Sequence, residues 1–190
     1  MRDEEVIQSI LQGNGDKYAV IVERYQTRLY RTAYYYSRNV EDAMDLTQEI
    51  FIKAYNSLAK FKRGSAFSTW LYRIAVNHCI DWSRKKRPQC EEDACLANLA
   101  SGESTPEECL LRQERASEVH RALESLPEHY RTTLMLYYFE ELTPHQIADI
   151  LAISKRTVET RLHRGRKMLR DKIPLKLSGG VFHDLFSQSG

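Results

Sequence analysis

The densest group of chemically active side chains lies in the eighteen residues Lys155–Lys172, which contain eight Lys or Arg residues and two acidic ones. Cations at this density attract the phosphates of a nucleic-acid backbone and give an affinity that depends on salt. Glu159 is an informative exception, because a carboxylate can accept a hydrogen bond from cytosine N4 while a neighbouring arginine reads guanine. The segment therefore predicts a helix that both holds DNA phosphates and reads base edges.

The polar side chains of this segment are expected to project from an exposed side of the helix. The alternative is an ordinary solvated face, in which Glu159 only pairs with Arg156 or His163 at helical spacing. The side chains predicted to project are Lys155, Arg156, Thr160, Arg161, His163 and Arg164.

Two predicted helices and a short turn would position these side chains. Thr143 can accept a hydrogen bond as N-cap, Pro144 suits the first helical position, and Gln146 can complete a capping box. Residues 152–153 then turn the chain, and Ser154 can cap the second helix. This is the layout of a helix-turn-helix with an exposed recognition helix. The apolar residues expected to bury the two helices are Ile147, Ala148, Leu151, Val158, Leu162, Met168 and Leu169.

A second group combines aromatic and cationic side chains in FKRGSAFSTWLYRIAVNHCIDWSRKKR, residues 61–87. Base stacking on aromatic rings beside cations is how proteins hold single-stranded nucleic acid. Asn77 suits a base edge because its amide offers a donor and an acceptor, and it shares a helix side with Arg73 and Arg84. Trp70 is expected to pack in the helix core and also to be able to touch DNA.

The helix predicted between Val40 and Lys60 has two distinct sides. Taken alone, its polar side is an ordinary solvated face. That side consists of Glu41, Asp42, Asp45, Gln48, Glu49 and Lys53, and the opposite, buried stripe consists of Ala43, Leu46, Ile50, Ala54 and Leu58.

Apolar residues recur at helical spacing along almost the whole chain, and no segment shows sustained alternation of period two. We therefore predict an all-α protein of two small helical domains joined by a flexible linker, with the helix-turn-helix in the C-terminal domain. The expected domains are residues 1–87 and 106–173, with an acidic linker at 88–105 and a tail at 174–190. The remaining predicted helices are Glu4–Gln12, Asp16–Ser37, Phe67–Lys85, Pro106–Ser125, Pro127–Glu140, Pro144–Leu151 and Lys155–Lys172.

Charge divides the chain in a similar way. Residues 1–87 carry 15 Lys or Arg and 10 acidic residues, residues 88–125 carry 3 and 9, and residues 126–190 carry 10 and 7. Two basic blocks separated by an acidic one are expected where each basic block meets a polyanion and the spacer does not. The distribution favours a nucleic-acid partner for both domains.

Other classes of protein are not favoured. The chain has no run of eighteen apolar residues and begins with the charged MRDEE, so a cytoplasmic location is expected. Without a nucleophile–base pair or a Gly-rich phosphate loop, we expect a binding protein and not an enzyme, with no cofactor and no small-molecule substrate. Reduced thiols and no metal site are expected from the sparse, irregular cysteines, with redox sensing or metal binding as the alternative. These cysteines are Cys79, Cys90, Cys95 and Cys109.

The order of three features resembles one protein family. A polar helix, EDAMDLTQEIFIKAY, is followed by the aromatic–basic segment FSTWLYRIAVNHCIDWSRKKR and, after a linker, by a helix-turn-helix. This succession resembles the bacterial extracytoplasmic-function (group IV) sigma factors over about residues 16–172. The resemblance implies an alternative sigma factor that binds core RNA polymerase and directs promoter recognition and transcription initiation, in a stress or envelope-signal response.

The resemblance also implies roles for individual residues. The polar helix would bind the clamp helices of the polymerase β′ subunit, in place of the solvated face expected from the helix alone, through Asp42, Asp45, Gln48, Glu49 and Lys53. The residues that would bind minus-ten DNA are Phe61, Lys62, Arg63, Ser65, Phe67, Arg73, Asn77, Lys85, Lys86 and Arg87. The first five of these would capture a flipped base. The residues that would read the minus-thirty-five element are Lys155, Arg156, Thr157, Glu159, Thr160, Arg161, His163 and Arg164.

The implied partners are core RNA polymerase, through its β′ clamp helices and β flap, and promoter DNA in duplex and single-stranded form. The acidic linker would thread toward the active-site and RNA-exit channels of the polymerase. An anti-sigma factor, which can be membrane-bound in this family, is a further expected partner. The tail is expected to be a frayed end, with a docking peptide as the alternative.

Two competing interpretations make different predictions. A dimeric helix-turn-helix regulator that acts without polymerase explains the basic helix but leaves the polar helix and the aromatic–basic segment unexplained. A helical enzyme or scaffold, whose basic helix is only a charged surface, predicts DNA binding without sequence preference and with a small salt dependence.

Overall fold

The structure is a computed structural model that describes residues 2–61, 66–86 and 121–172. The chain divides into two compact units, with the division between Asp93 and Ala94. Every regular element in the described residues is helical, which confirms the predicted all-α fold. The predicted linker at 88–105, most of the helix predicted at Pro106–Ser125 and the tail at 174–190 lie outside the described residues.

The described residues of the first unit form four α-helices. They are α1 (Asp3–Leu11), α2 (Tyr18–Ser37), α3 (Val40–Ser57) and α4 (Phe67–Lys86), with 3-10 turns at Gly15–Lys17 and Leu58–Lys60. Helices α2, α3 and α4 pack against one another in pairs, and α1 packs against α2. The helix predicted to run to Lys60 ends at Ser57, because the chain tightens into the second 3-10 turn.

The reversal between α2 and α3 takes only two residues. Arg38 ends α2 in the left-handed conformation, with φ at 59°, and Asn39 then caps α3. The Asn39 Oδ1 accepts hydrogen bonds from the backbone N–H groups of Glu41 (2.8 Å) and Asp42 (3.1 Å). A cap of this kind is worth about 1 kcal/mol. The left-handed residue and the cap therefore fix where α2 ends and where α3 begins.

The core of this unit contains the apolar stripe that the sequence predicted for α3. Ala43, Leu46, Ile50, Ala54 and Leu58 are all buried, which confirms that prediction. They pack in the same core as Leu29 of α2 and Leu71 of α4. Burial of each such leucine or isoleucine contributes about 1.5–3 kcal/mol. Hydrophobic packing of the buried side of α3 thus fixes which of its polar residues face solvent.

The second unit contains the predicted helix-turn-helix. Within residues 121–172 its helices are α5 (Glu128–Tyr138), α6 (Pro144–Leu151) and α7 (Lys155–Lys172), and residues 121–124 are also helical. The limits of α6 and α7 are those predicted, whereas α5 is shorter than the predicted Pro127–Glu140. Helix α5 packs against both α6 and α7. Its six consecutive residues 131–136 are all buried, so this part of the helix is buried all the way round. Among the described helices of this unit, α5 is therefore the one enclosed by its neighbours.

In the described part of the chain, none of the helices combines the length and hydrophobicity needed to cross a membrane.

Candidate nucleic-acid interface

The turn between α6 and α7 is held by side-chain caps at both helix starts. Thr143 and Gln146 form the predicted capping box, with Gln146 N donating to Thr143 Oγ1 (3.3 Å) and Thr143 N donating to Gln146 Oε1 (2.9 Å). Ala152 ends α6 in the left-handed conformation, with φ at 53°. Ser154 Oγ then accepts from the backbone N–H of Thr157 (3.1 Å) at the start of α7. Local sequence alone therefore fixes where the basic helix begins.

Helix α7 presents its predicted DNA-reading residues outward. Its buried side consists of Val158, Leu162, Gly165 and Leu169, and Met168 is half-buried. The burial of Gly165 was not predicted, and its side is the one that faces Leu134 and Tyr130 of α5. The residues left exposed are Lys155, Arg156, Glu159, Thr160, His163 and Arg164, while Thr157 and Arg161 are half-buried.

Glu159 makes an ion pair within α7, but not with the partners that the sequence suggested. Its Oε1 lies 3.6 Å from the Nζ of Lys155, one helical turn earlier. Both side chains are more than half exposed, so the pair contributes only about 0.3–0.5 kcal/mol. The ion pair therefore holds the carboxylate only loosely.

Arg166 differs from the outward cations of α7. Its Nε donates a hydrogen bond to the Oη of Tyr138 (2.7 Å), and its guanidinium lies 5.3 Å from the ring centre of Tyr137. Burial raises the pKa of Tyr138, so its phenol stays neutral and accepts this hydrogen bond. Arg166 thus fastens the recognition helix to α5, a structural role that its place in a basic run did not reveal.

The aromatic–basic segment of the first unit forms a compact ring cluster. The ring centres of Phe61, Phe67 and Trp70 are 5.5 Å apart in each pair, and Tyr25 of α2 lies 5.8 Å from Phe67. Phe61 and Trp70 are half-buried, whereas Phe67 is 1% exposed. The prediction that Phe67 contacts DNA needs correction, because its ring is enclosed by the cluster and supports the two more exposed rings.

The remaining minus-ten candidates fall into three groups. Asn77 and Lys85 are exposed, and Arg73 is half-buried one turn before Asn77. Lys86 is also exposed, but its Nζ pairs with Asp42 Oδ2 of α3 (2.5 Å) and lies 4.8 Å from the ring centre of Trp82. The candidates outside the described residues are Lys62, Arg63, Ser65 and Arg87.

The polar face of α3 divides into two parts. Asp45 and Gln48 are exposed to solvent, whereas Glu49 and Lys53 meet His78 of α4. His78 Nε2 lies 2.5 Å from Glu49 Oε2, and its Nδ1 lies 2.5 Å from Lys53 Nζ. Because a lysine ammonium only donates, Nδ1 is the acceptor and the ring proton is on Nε2. Asp42, Glu49 and Lys53 therefore help to join α3 to α4 while their outer atoms remain exposed.

Large apolar side chains lie exposed on α3, a feature that the sequence reasoning missed. Met44, Ile52 and Tyr55 are 59%, 52% and 47% exposed. At 100° per residue they fall on the outward side of the helix, around Gln48. Exposed apolar side chains clustered among polar ones are typical of a protein-binding surface. The signal was present in the sequence as apolar residues outside the buried stripe.

Cys79 is the cysteine that the described residues include, and it is a buried thiol without a disulfide. Burial raises its pKa from 9.0 to about 12. No group of three or more His, Cys, Asp or Glu side chains in the described ranges is arranged to hold a metal ion.

Alkylation should reveal this burial directly. At pH 9 the Cys79 thiol of the folded protein is expected to react with iodoacetamide at least about 100-fold more slowly than in the unfolded chain, because it stays protonated. The stability that the neutral thiol contributes is complete below pH 9 and is lost as the pH rises toward 12. Peptide mass spectrometry with and without guanidinium measures both rates, and equal rates would show that Cys79 is accessible in the native state.

Sequence comparison identifies the family. The Sigma-70 region 2 model matches residues 21–89, and the Sigma-70, region 4 model matches residues 116–169. The chain is 37% identical over 176 residues to the ECF RNA polymerase sigma factor SigW of Bacillus subtilis, covering 88% of this chain and 94% of that protein. The chain belongs to the ECF sigma factors. This sigma factor is also 35% identical to the ECF RNA polymerase sigma-E factor of Escherichia coli K12, covering 91% of this chain and 95% of that protein.

Solved structures support the fold of this sigma factor. CnrH, in complex with the cytosolic domain of CnrY, matches with a TM-score of 0.67 and 22% identity over 89% of this chain and 95% of that one. The sigma factor RpoE of Bartonella quintana, in complex with the anti-sigma factor NepR, matches with a TM-score of 0.63 and 20% identity over 81% and 94% of the chains. Sigma factors are initiation factors and not enzymes. A regulator that acts without polymerase is not favoured, because the aromatic–basic segment belongs to the region 2 match.

Proposed function

We propose that this sigma factor binds core RNA polymerase and directs it to promoters, while the polymerase performs the chemistry in the cytoplasm. The observation that carries the proposal is the outward projection of the α7 cations and Glu159 from a well-capped helix-turn-helix, in a chain whose curated relatives are sigma factors. The proposed domains are residues 1–87 for polymerase and minus-ten binding and 106–173 for minus-thirty-five binding, with 88–105 as the linker and 174–190 as a tail.

The second unit would read the minus-thirty-five element through α7. Its exposed cations can neutralise phosphates, and its first turns carry the side chains suited to base edges. The proposed reading residues are Lys155, Arg156, Thr157, Glu159, Thr160, Arg161, His163 and Arg164. Phe139, which is 52% exposed just after α5, offers an apolar contact for the β flap on the same unit.

Replacing Glu159 by Gln should change which upstream bases are preferred, with a loss of about fivefold or more for the best wild-type sequence. The glutamine amide keeps the size of the glutamate side chain but adds N–H donors. It therefore favours a contact with adenine over a contact with the N4 of cytosine. Selection from a randomised minus-thirty-five library measures the preference. Lys167→Gln, an exposed change farther along α7, is the control, and a loss spread evenly over all sequences would mean that Glu159 reads no base.

The first unit would capture an unpaired minus-ten base at the ring cluster. Phe61 and Trp70 offer half-exposed faces, and the buried Phe67 holds them in place. Flipping a base costs a few kcal/mol, which stacking on an aromatic ring offsets by about 1–3 kcal/mol. Lys62, Arg63 and Ser65 are proposed to help capture the same base. Exposed cations of α4 would then contact the upstream backbone, and Lys85 is better placed for this than the ion-paired Lys86.

Asn77→Ala is expected to slow promoter opening by about tenfold or more while leaving closed-complex formation near wild type. Asn77 is exposed on α4, so the substitution removes a base contact without removing core packing. Permanganate reactivity of unpaired thymines follows opening, and heparin-sensitive binding follows the closed complex. Equal losses in both steps would contradict the assignment of Asn77 to the opened strand.

Polymerase binding would use the outward face of α3. Asp45 and Gln48 supply exposed polar groups, and the apolar side chains around Gln48 supply surface that can be desolvated. Asp42, Glu49 and Lys53 would form the edge of this interface nearest α4, with their geometry set by the pairs to His78 and Lys86.

An anti-sigma factor is the proposed inhibitory partner. CnrH was solved in complex with the cytosolic domain of CnrY, and RpoE was solved in complex with the anti-sigma factor NepR. In that case the factor would be released by a stress or envelope signal, and both DNA-binding units would become available together. Holding two weak DNA readers on one polymerase raises their effective concentration, so each can bind poorly alone.

Run-off transcription tests the proposal. Core polymerase and the purified full-length chain would be incubated with a randomised promoter library, and the transcript starts would be sequenced. We expect paired upstream motifs at a constant distance from defined starts. Failure to initiate, together with a shift of duplex DNA by the chain alone, would instead support the dimeric regulator.

A further inference from the structure

Asp3, the first residue of α1, uses both oxygens of its carboxylate to hold α2. Its Oδ2 accepts a hydrogen bond from the Oη of Tyr25 (2.5 Å), and its Oδ1 forms an ion pair with the guanidinium of Arg24. The two partners differ in their surroundings, since Tyr25 is buried whereas the Arg24 side chain is 40% exposed. An exposed ion pair contributes little to stability, so the hydrogen bond to the buried phenol is the more consequential contact.

Tyr25 also belongs to the ring cluster of the first unit. Its ring meets that of Phe67 edge to face, with ring centres 5.8 Å apart and an angle of 74° between the ring planes. Phe67 is enclosed, and its ring centre lies 5.5 Å from those of both Phe61 and Trp70, the two rings that keep exposed surface. A continuous chain of contacts therefore runs from the Asp3 carboxylate to the face that is proposed to receive an unpaired base.

Helix α1 supports the ring cluster from a second direction. It packs against the 3-10 turn Leu58–Lys60 as well as against α2. That turn leads directly into Phe61, whose backbone N–H donates to the carbonyl of Leu58 (3.1 Å). The apolar residues that bury α1 in the first unit are Val6, Ile7 and Ile10. Helix α1 therefore packs against the elements on either side of the cluster, and Asp3 adds a polar attachment to Tyr25.

The hydrogen bond to Asp3 fixes the position of the Tyr25 ring. Burial, together with the Asp3 carboxylate beside it, raises the pKa of Tyr25, so the phenol stays neutral and keeps its proton to donate. Without an acceptor at Asp3 the buried hydroxyl would be left unsatisfied, which is costly, and the ring would shift toward another partner or toward water. Because neighbouring side chains are closely packed, such a shift would also move Phe67.

We propose that Asp3 is a positioning residue for capture of the minus-ten base and that it acts through Tyr25 and Phe67. By fixing the Tyr25 ring, Asp3 holds Phe67 where Phe61 and Trp70 together offer a surface for stacking. The inference rests on the proposed function, because a base is captured only if the chain opens promoters. A residue that merely anchored α1 would lower the stability of the first unit without changing the balance between promoter binding and promoter opening.

Promoter opening by Asp3 variants of the full-length protein, with core polymerase, tests the proposal. Asp3→Ala removes the acceptor for Tyr25 and should slow opening about fivefold, while closed-complex formation stays near wild type. Asp3→Asn also loses the ion pair with Arg24 but keeps an oxygen that can accept from Tyr25, so its opening rate should stay within about twofold of wild type. Permanganate reactivity measures opening, and heparin-sensitive binding measures the closed complex.

Further variants separate the hydrogen bond from the other effects of Asp3→Ala. Glu4→Ala removes an exposed acid from the same first turn, and Arg24→Gln removes the ion pair while leaving Tyr25 in place. Both should open promoters at the wild-type rate. Tyr25→Phe should slow opening as much as Asp3→Ala does. The double variant of Asp3→Ala with Tyr25→Phe should be no slower than either single variant, because both changes break the same hydrogen bond.

Tryptophan quenching in the free protein gives a second measurement that does not depend on polymerase. In a Trp82→Phe background, acrylamide should quench Trp70 more readily in Asp3→Ala than in Asp3→Asn, because the ring cluster is displaced only in the first. Opening at the wild-type rate in Asp3→Ala, or additive slowing in the double variant, would overturn the proposal. So would an equal loss of closed-complex formation and opening together with a lower denaturant midpoint, which would reduce Asp3 to an anchor of α1. If the wild-type protein opens no promoter, the proposed function is wrong and this inference falls with it.

Discussion

Replacing Ile52 by Asp is expected to weaken the binding of core RNA polymerase by at least about 30-fold, the effect of losing an interface hot spot of roughly 2 kcal/mol. Ile52 lies on the outward side of α3 and is 52% exposed. If this side docks on the polymerase, the apolar side chain is desolvated there. A carboxylate in its place would be buried without a partner, which is costly. A competition titration with labelled full-length protein and core polymerase measures the dissociation constant.

Leu11→Asp is the matched control for this substitution. Leu11 is 54% exposed on α1, so the variant makes the same kind of chemical change outside the α3 face. Neither substitution should move the denaturant midpoint of the first unit, which tryptophan fluorescence follows selectively because Trp70 and Trp82 are the two tryptophans of the chain and both lie on α4. Equal losses of affinity in the two variants, or none in Ile52→Asp, would contradict α3 as the docking surface.

Gly165→Leu is expected to loosen the second unit and strongly reduce transcription from promoters that need a minus-thirty-five element. A Cβ at Gly165 would lie 3.1 Å from Leu134 Cδ1 and 3.4 Å from Tyr130 Cβ, so the α5–α7 contact has no room for a branched side chain. Overpacking costs about 1–3 kcal/mol or more, and the gain in helix propensity of about 1 kcal/mol offsets only part of it. Amide hydrogen exchange in peptides from α5 and α7 should become at least about tenfold faster.

Two further variants separate crowding from the other effects of a larger side chain. Gly165→Ala should stay within about 1 kcal/mol of the wild type, because its gain in helix propensity opposes the crowding of one methyl group. Lys167→Leu places leucine at an exposed position on the same helix and should not accelerate exchange. Polymerase binding through the first unit should survive in all three variants. Wild-type exchange in Gly165→Leu would mean that the α5–α7 contact adapts to the added volume.

The helix-turn-helix was predictable from sequence because its limits depend on local chemistry. Thr143, Pro144 and Gln146 fix the start of α6 through caps and a preset φ angle, and Ser154 does the same for α7. The buried stripe of α3 was predictable for a similar reason, since periodicity alone separates its two sides. In each case the residues that decide the structure lie within a few positions of one another.

The features that were missed depend on neighbours that are distant in sequence. The role of Gly165 comes from Leu134 and Tyr130, and that of Arg166 comes from Tyr138, so a run of basic letters could not distinguish either from its neighbours. From sequence alone, the residues of the polar face of α3 could not be distinguished from one another. The packing of α4 against α3 places His78 beside Glu49 and so separates Glu49 from the fully solvent-facing residues. The family resemblance implies roles by position, but the burial of Phe67 depends on how α2 and α4 pack together.

The residues of α7 that hold the helix in place are separate from those that project outward, and this separation affects how promoter preference can evolve. The groups that hold the helix in place, Val158, Leu162, Gly165 and Arg166, face inward or pair with α5. The groups that project outward, such as Arg156 and Glu159, contribute little to the packing. If the outward side reads the promoter as proposed, substitutions there can give duplicated copies of such a gene new target sequences while each copy keeps its folding stability.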